Sequence, residues 1–136
     1  METIFSQVNL LAVLVSAIVY FALGALWYSP VLFAKPWMSA LGKKKEDLET
    51  STVVYISTFL AILIVVFILA VLVILIDTNT IRGGAFVGAV TGIGFSLTTT
   101  GINNMYAGRS LSLTLITSGY HIVGFTLAGI ILANWK

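Results

Sequence analysis

Four apolar runs dominate the chain, and each is long enough to cross a lipid bilayer. They cover approximately residues 4–28, 53–76, 82–100 and 111–135, and the charged residues fall between or beyond them. Only 9% of the residues are charged, against roughly 25% in soluble domains, so a water-facing exterior is excluded. The sequence therefore predicts one all-α domain over residues 1–136, an integral membrane bundle of four transmembrane helices.

The connection after the first run is the longest in the chain and has two parts. Pro30 ends the first helix, because the residue before a proline is disfavoured in the helical region. Residues 31–38 are apolar and aromatic apart from Lys35, which is typical of a segment that lies in the membrane interface. Residues 42–49 form a solvated charge run. We therefore expect an interfacial segment after the first helix, followed by a polar connector.

The second and third runs predict different helix surfaces. Residues 59–76 are all Leu, Ile, Val, Phe or Ala, so we expect this helix at the outside of the bundle, facing lipid and carrying no chemistry. The third run repeats glycine at every fourth position, at Gly84, Gly88 and Gly92. This spacing lets two helix backbones approach closely, whether the partner helix is in the same chain or in another copy. Ten of the 12 glycines, including Gly119 and Gly124, lie from Gly83 onward, so we expect the third and fourth helices to pack closely. The same ladder, together with a chain too short to enclose a wide pathway alone, motivates a homo-oligomer.

His121 is the only histidine in the chain and lies inside the fourth run. It is about ten residues, or ~15 Å, from the start of its helix, close to the middle of a bilayer. A titratable group at this depth normally faces the bundle interior and has a partner there. Small and polar residues on the inward helix faces complete a candidate intramembrane polar site, which comprises His121, Tyr120, Ser118, Thr117, Ser16, Thr91 and Asn9.

Three interpretations of His121 stay open. The ring can form a structural hydrogen bond with a hydroxyl or carbonyl group of a neighbouring helix, and Ser16 and Thr91 lie at comparable depth. It can belong to a site for a substrate, an ion or a proton. Several copies can also meet at the axis of an oligomer and bind a metal there. A metal needs several ligands, and one chain has no second histidine and no carboxylate in its spans, so we expect no metal site in a single chain.

Polar and aromatic residues also gather at one end of the predicted bundle. This candidate cytoplasmic mouth comprises Asn103, Asn104, Arg109, Trp27 and Tyr28. Helix capping and interface anchoring account for these residue types. Alternatively, they form a polar, cationic mouth that holds a carboxylate or a phosphate headgroup, with Arg109 as the anion clamp.

The basic loop residues predict the orientation of the chain. The first and third loops share one side and carry Lys35, Lys43, Lys44, Lys45 and Arg109, whereas the other side carries only Arg82 and Lys136. We expect both termini outside the cytoplasm, in the cell membrane (the inner membrane of a Gram-negative cell). The net charge of +2 comes from these loops and does not indicate nucleic acid. The expected partners are the lipid bilayer and further copies of the chain; the sequence does not specify a small-molecule ligand.

Catalytic motifs are missing from the apolar runs. The four runs contain no Asp or Glu, the chain has no cysteine, and no serine stands in a recognisable nucleophile motif. An enzyme would need His121 as a lone general base beside Ser16 or Tyr120. The sequence therefore favours a protein that is not an enzyme and has no cofactor.

Two blocks near the ends of the chain resemble a known family. They are Gly24-Ala-Leu-Trp27-Tyr28-Ser-Pro30-Val-Leu-Phe33-Ala-Lys35-Pro-Trp37 and Gly119-Tyr120-His121-Ile-Val-Gly124. The chain resembles the bacterial membrane family catalogued as domain of unknown function 1761. The resemblance extends to Asn9, Asn104, Tyr106 and Arg109 and covers nearly the whole chain. The chain departs from the family pattern at Thr117 and Ser118, where Ile-Asn-Ala is expected before Gly-Tyr-His. The resemblance implies the fold and supplies no reaction.

These observations predict a small multi-pass membrane protein of unknown biochemical activity that forms a homo-oligomeric helical bundle. The alternative is a transporter or channel for a small solute or a proton, with His121 at the membrane midplane.

Overall fold

The computed structural model describes residues 2–48 and 50–135; Met1, Glu49 and Lys136 lie outside the described residues, so the expected charge positions of Glu49 and Lys136 are not described. In the part that it describes, the chain forms helices and no strands. Seven α-helices follow one another: α1 (Glu2–Ser6), α2 (Leu10–Trp27), α3 (Ala34–Leu41), α4 (Thr52–Leu75), α5 (Ile81–Thr91), α6 (Thr98–Tyr106) and α7 (Leu111–Asn134). A 3-10 turn at Lys45–Asp47 follows α3, and a π-helical segment at Gly92–Leu97 joins α5 to α6. This architecture confirms the all-α prediction.

Four helical segments are long and apolar enough to cross a membrane. They are α2, α4, the continuous segment Ile81–Tyr106 and α7. All four begin after a residue whose side-chain oxygen accepts a hydrogen bond from a backbone N–H in the first turn, which satisfies a donor that the helix itself leaves free. These N-cap residues are Asn9, Ser51, Thr80 and Ser110.

The first spanning helix is shorter than the sequence predicts. It begins at Leu10 and not near Ile4, because the side chain of Asn9 accepts a hydrogen bond from the backbone N–H of Ala12 (3.1 Å) and caps a new helix. The residues before it form the separate helix α1. The helix ends at Trp27, three residues before Pro30.

The third spanning segment is longer than predicted and continues to Tyr106. Residues Gly92–Leu97 form the π-helical segment, and the α-helix resumes at Thr98. The hydroxyls of Thr98 and Thr99 donate to the carbonyls of Gly94 and Phe95, and so satisfy backbone groups around the π turn. Asn103 and Asn104, which lie beyond the predicted end of the third run, consequently belong to α6.

Helix α7 lies at the centre of the bundle and packs most extensively against α5. A Cβ added at Gly84 or Gly88 would collide with the backbone of α7, at Gly129 and Phe125. A Cβ at Gly92 would lie 2.7 Å from the Cα of Ile122. The predicted pairing of the third and fourth helices is therefore present, and the glycine ladder is occupied within one chain.

Helix α4 has two different faces, although its sequence shows no polar side. Ile62, Val66, Leu69, Ala70 and Val73 are buried in the bundle, mainly against α2 and α7. The opposite face is exposed, with Ile64 at 67% and Leu75 at 58%. The exposed face agrees with the predicted contact with lipid, but the helix also walls the cleft described below.

Candidate functional site

His121 faces a cleft of about 410 Å³ between α4 and the second half of the third spanning segment. We name it the His121 cleft. Its floor is formed by α2 and α7, with Tyr20, Tyr120, His121 and Phe125. One wall comes from α4 and the other from the π-helical segment and α6; the wall residues are Thr58, Ala61, Ile62, Val65, Phe95, Ser96 and Thr99. The cleft is thus mostly apolar, with a histidine at its base.

The imidazole of His121 is held by a tyrosine from another helix. The Tyr20 hydroxyl lies 2.6 Å from Nδ1 of His121. Tyr20 is only 1% exposed, and its hydroxyl has no other hydrogen-bond partner among the described residues. If Nδ1 carried the proton, the hydroxyl proton of Tyr20 would be buried without an acceptor, which is costly. We therefore assign Tyr20 as the donor and Nδ1 as the acceptor.

This assignment fixes the chemistry of the other ring nitrogen. A neutral imidazole that accepts at Nδ1 carries its proton on Nε2 and donates there. Nε2 has no hydrogen-bond partner among the described residues and is not an enclosed atom, so it faces the cleft. The hydroxyls of Thr58 and Thr99 donate to the carbonyls of Val54 and Phe95 on their own helices, so they can only accept. Nε2 is consequently a free donor at the base of the His121 cleft, and the hydroxyl of Ser96 on the opposite wall is a second one.

Glycines facing aromatic rings set the position of Tyr20 and of its neighbours. A Cβ at Gly124 would lie 2.6 Å from Cζ of Tyr20, and a Cβ at Gly24 would lie 2.9 Å from the hydroxyl of Tyr120. Tyr120 donates to the backbone carbonyl of Tyr20 (3.1 Å), and the two rings meet edge to face at 5.3 Å. The two sequence blocks that carry the family resemblance are thus interlocked across α2 and α7.

A second aromatic contact extends this interlock toward the end of α2. The indole of Trp27 donates to the carbonyl of Ile116 (3.0 Å), and a Cβ at Gly119 would lie 3.0 Å from its ring. Tyr28 packs against Tyr120, with ring centroids 5.6 Å apart, and against Trp37 of α3, at 4.7 Å. Trp27 and Tyr28 therefore orient α2, α3 and α7 relative to one another.

The residues of the predicted intramembrane site do not form one cluster. Tyr120 and His121 lie together, whereas the hydroxyls of Ser16 and Ser118 are fully buried without a hydrogen-bond partner among the described residues. Thr117 is half-buried and adjoins Tyr28. None of the three serine and threonine side chains lines the His121 cleft.

Two further members of that predicted site lie elsewhere. Thr91 donates to the carbonyl of Val87 on its own helix (2.7 Å). Asn9 caps α2 and its amide donates to the carbonyl of Trp135 (3.4 Å), at the opposite end of the helix from Trp27. The hydroxyl partner of His121 is therefore Tyr20, and not Ser16 or Thr91 at a similar depth.

The predicted mouth divides into buried and exposed residues. The amide of Asn104, which is only 5% exposed, donates to the hydroxyl of Thr114 (2.9 Å) and so links α6 to α7. Asn103 and Arg109 are exposed, and the N–H of Arg109 donates to the carbonyl of Asn104 (2.9 Å). Arg109 borders a second cleft, of about 460 Å³, between α6 and the start of α7. Trp27 and Tyr28 do not line it.

The site residues predicted from the sequence did not include Tyr20, Ser96 or Thr99, which all line the His121 cleft. The helical spacing of Tyr20 from Gly24 and its match to Gly124 were the available signals. The π-helical segment, which turns Ser96 and Thr99 toward the cleft, leaves no simple signal in the sequence. Among residues 2–48 and 50–135, no group of three histidine or acidic residues lies close enough together to hold a metal.

Comparison with known proteins identifies the family. The profile of the family described as protein of unknown function (DUF1761) matches residues 11–133, which include both interlocked blocks and His121. No curated protein and no solved structure matches the chain. The match covers nearly all of the bundle described above, and the chain therefore belongs to the DUF1761 family of proteins of unknown function.

Proposed function

We propose that this protein binds a lipophilic small molecule in the His121 cleft and recognises an acceptor oxygen on it, such as a quinone or carboxylic carbonyl. The observation that carries the proposal is the division of the His121 ring. Nδ1 is taken by Tyr20 at 2.6 Å, and Nε2 is presented to the cleft as a donor. A donor in apolar surroundings gains most from a ligand oxygen, because water is scarce there.

The shape of the cleft supports a ligand that arrives from the lipid phase. Its volume, about 410 Å³, falls in the range of small-molecule sites, roughly 300–1,000 Å³. Helix α4 packs only slightly against α5, and the cleft occupies the space between α4 and the segment that follows α5. The side chains of Phe95, Ile62 and Val65 supply apolar walls on both sides.

The single histidine allows a direct test. Uniform ¹⁵N labelling of histidine alone gives one pair of ring resonances, because the chain has only His121. We expect a neutral ring protonated at Nε2. Addition of decylubiquinone should shift the Nε2 resonance and leave Nδ1 nearly unchanged, whereas dodecylbenzene, which has no carbonyl oxygen, should shift neither. A proton on Nδ1, or an Nε2 resonance that saturating decylubiquinone does not move, would overturn the proposal.

A binding measurement gives an independent test. Replacing His121 with Phe keeps a ring of similar size and removes the N–H donor. We expect His121→Phe to weaken decylubiquinone binding about fivefold, since a net hydrogen bond contributes about 1 kcal/mol. Ser118→Ala is a matched control on the same helix, because the Ser118 side chain is buried away from the cleft. Equal affinities of wild type and His121→Phe would contradict the role of His121.

Transport of a small solute or a proton is the second candidate. It rests on the position of His121, about ten residues into a spanning helix, and on Nε2 of its ring, which is not enclosed by the protein. Liposomes that contain the protein should then show flux that falls with His121→Ala and changes between about pH 5 and pH 8. Flux unaffected by both would exclude transport and leave the binding proposal intact.

Homo-oligomerisation stays a prediction, and the packing of the glycine ladder within one chain weakens its support. Its motives were the glycine ladder and a chain too short to enclose a wide pathway alone. Gly84, Gly88 and Gly92 pack against α7 of the same chain. A dimer would have to use another surface, such as the exposed face of α4. Native mass spectrometry in mild detergent tests it: only monomers at all concentrations would refute the oligomer.

The location and orientation also remain proposals. We propose that the chain lies in the cell membrane with both termini outside the cytoplasm, since the loops after α2 and α6 carry most of the basic residues. A reporter that is active only in the cytoplasm should be inactive at the N-terminus and active when inserted after Lys44. The reverse pattern would invert the proposed orientation.

A further inference from the structure

The second cleft, bordered by Arg109, differs from the His121 cleft in where it lies and in its charge. We name it the Arg109 cleft. It lies between α6 and the start of α7, and its lining includes Gly101, Ile102, Met105, Arg109, Leu111 and Thr114. Several of the apolar members are strongly exposed, with Met105 at 73% and Leu111 at 71%. The cleft is therefore an apolar surface groove with one cation at its edge.

The turn between α6 and α7 fixes the backbone position of Arg109. Gly108 has a positive φ of 69°, a conformation that suits glycine at a helix C-terminus. The N–H groups of Ala107, Gly108 and Arg109 donate back to carbonyls of the last turn of α6. The hydrogen bond from Asn104 to Thr114 then holds α6 against α7. The backbone of Arg109 is thus fixed at the rim of the groove.

The guanidinium of Arg109 has no acidic partner in the described part of the chain. No ion pair involves it among the described residues, and no Asp or Glu follows Asp77 in the sequence. A guanidinium beside an apolar groove is complementary to a phosphate joined to an acyl chain. A headgroup that also carries an ammonium group finds no carboxylate among the described residues that line this cleft.

We infer that the Arg109 cleft binds an anionic phospholipid, with an acyl chain along the apolar groove and the phosphate against the Arg109 guanidinium. The preference over a zwitterionic phospholipid follows because no acidic residue that could pair with the ammonium group lines the cleft in the described part of the chain. The site is separate from the His121 cleft, and the inference does not rest on the function proposed there.

The test is native mass spectrometry of the full chain in mild detergent with dioleoyl phosphatidylglycerol or dioleoyl phosphatidylcholine, which share the same acyl chains. We expect tighter binding of phosphatidylglycerol by the wild type. Arg109→Gln should weaken it about fivefold, the effect of one basic residue near an anionic lipid surface. Arg109→Lys should retain most of it. Arg82→Gln is the matched control, because Arg82 is also exposed but lies at the other end of the third spanning segment.

A second variant tests the groove itself. An added Cβ at Gly101 would meet only Thr114 Cγ2, at 3.8 Å, so Gly101→Leu fits the backbone and fills the cleft. It should weaken phosphatidylglycerol binding severalfold, whereas Gly94→Leu, at a glycine with open space around it, should not. Unfolding midpoints in SDS confirm that each variant is folded.

Three outcomes would overturn the inference. They are equal binding of the two lipids by the wild type, unchanged phosphatidylglycerol binding in Arg109→Gln, and unchanged binding in folded Gly101→Leu. Inorganic phosphate at millimolar concentration should not displace the lipid. Displacement by phosphate alone would assign the site to a free anion instead.

Discussion

The hydroxyl of Tyr20 and Nδ1 of His121 lie 2.6 Å apart although the two residues are 101 positions apart in the chain. The contact joins α2 to α7 and fixes both the orientation and the tautomer of the imidazole. A ring held in this way has one nitrogen for structure and one for a ligand. The contact therefore gives the polar ring a hydrogen-bond partner inside an apolar bundle. It leaves Nε2 available for a ligand.

Removal of the Tyr20 hydroxyl tests this division of roles. In Tyr20→Phe, Nδ1 loses its donor and the preference for the Nε2 proton weakens, so ¹⁵N spectra of the labelled histidine should show a mixture of tautomers. The free energy of unfolding should fall by only ~0.6 kcal/mol, the average for hydrogen bonds inside membrane proteins. A spectrum identical to wild type would show that Tyr20 does not set the tautomer. Tyr28→Phe is the control, since Tyr28 makes no hydrogen bond to His121.

Gly124 provides the space that Tyr20 occupies. In Gly124→Ala the new Cβ would lie 2.6 Å from Cζ of Tyr20, so the ring must move away from His121. We expect a loss of about 1–3 kcal/mol in the free energy of unfolding, as for other overpacked sites, together with the tautomer change of Tyr20→Phe. The measurements are unfolding in SDS and the same ¹⁵N spectra.

The matched control for Gly124→Ala is Gly94→Ala. No atom lies within 4 Å of a Cβ added at Gly94, and alanine favours helix by up to about 1 kcal/mol over glycine. Stability should be unchanged or slightly raised. Equal losses in the two variants would show that backbone effects, and not the contact with Tyr20, determine the result.

The overall architecture was predictable from the sequence because hydrophobicity and helix length leave few alternatives in a bilayer. The four long segments and the close pairing of the glycine-rich helix with α7 follow from residue types alone. The helix ends were less predictable, because they depend on single side-chain bonds. Asn9 begins α2 later than its hydrophobicity suggests, and Thr98 and Thr99 carry the helix past Gly101.

The candidate site was only half predictable. His121 is recognisable in the sequence as the only histidine, inside an apolar run. Its position beside Tyr120 follows because the two residues are adjacent in the sequence. To predict its partner Tyr20, the register between α2 and α7 would have to be known. Gly24 and Gly124 set this register through contacts between the two helices, which the periodicity of a single helix does not reveal. The cleft itself depends on the π-helical segment at Gly92–Leu97, a local change of pitch with no distinct sequence pattern.

The glycine ladder predicts a loss of stability and not a change of oligomeric state. In Gly88→Leu, the side chain would meet the backbone of α7 at Phe125 and Thr126, so α5 must separate from α7. We expect a loss of at least ~3 kcal/mol, at the upper end for overpacking, measured by unfolding in SDS. Val90→Leu, at a half-exposed position on the same helix, should change little. A variant that keeps wild-type stability but changes its mass in native mass spectrometry would instead place the ladder between chains.

The adjacent asparagines of α6 give a matched pair for the last prediction. Asn104 is 5% exposed and donates to Thr114, whereas Asn103 is exposed and makes no side-chain hydrogen bond in the described part of the chain. Asn104→Ala should lower the free energy of unfolding by about 1 kcal/mol, and Asn103→Ala should leave it within ~0.5 kcal/mol of wild type.

A double-mutant cycle isolates the Asn104–Thr114 bond from other effects of the two substitutions. Combining Asn104→Ala with Thr114→Val should give a coupling energy of about 0.6 kcal/mol, and at most ~1.7 kcal/mol, the range for polar pairs in membrane bundles. Because this bond holds α6 to α7 beside Arg109, the loss should also appear as faster hydrogen exchange of the Arg109 amide, whose acceptor is the Asn104 carbonyl. Zero coupling, or equal destabilisation by Asn103→Ala, would show that the two helices are held by apolar packing alone.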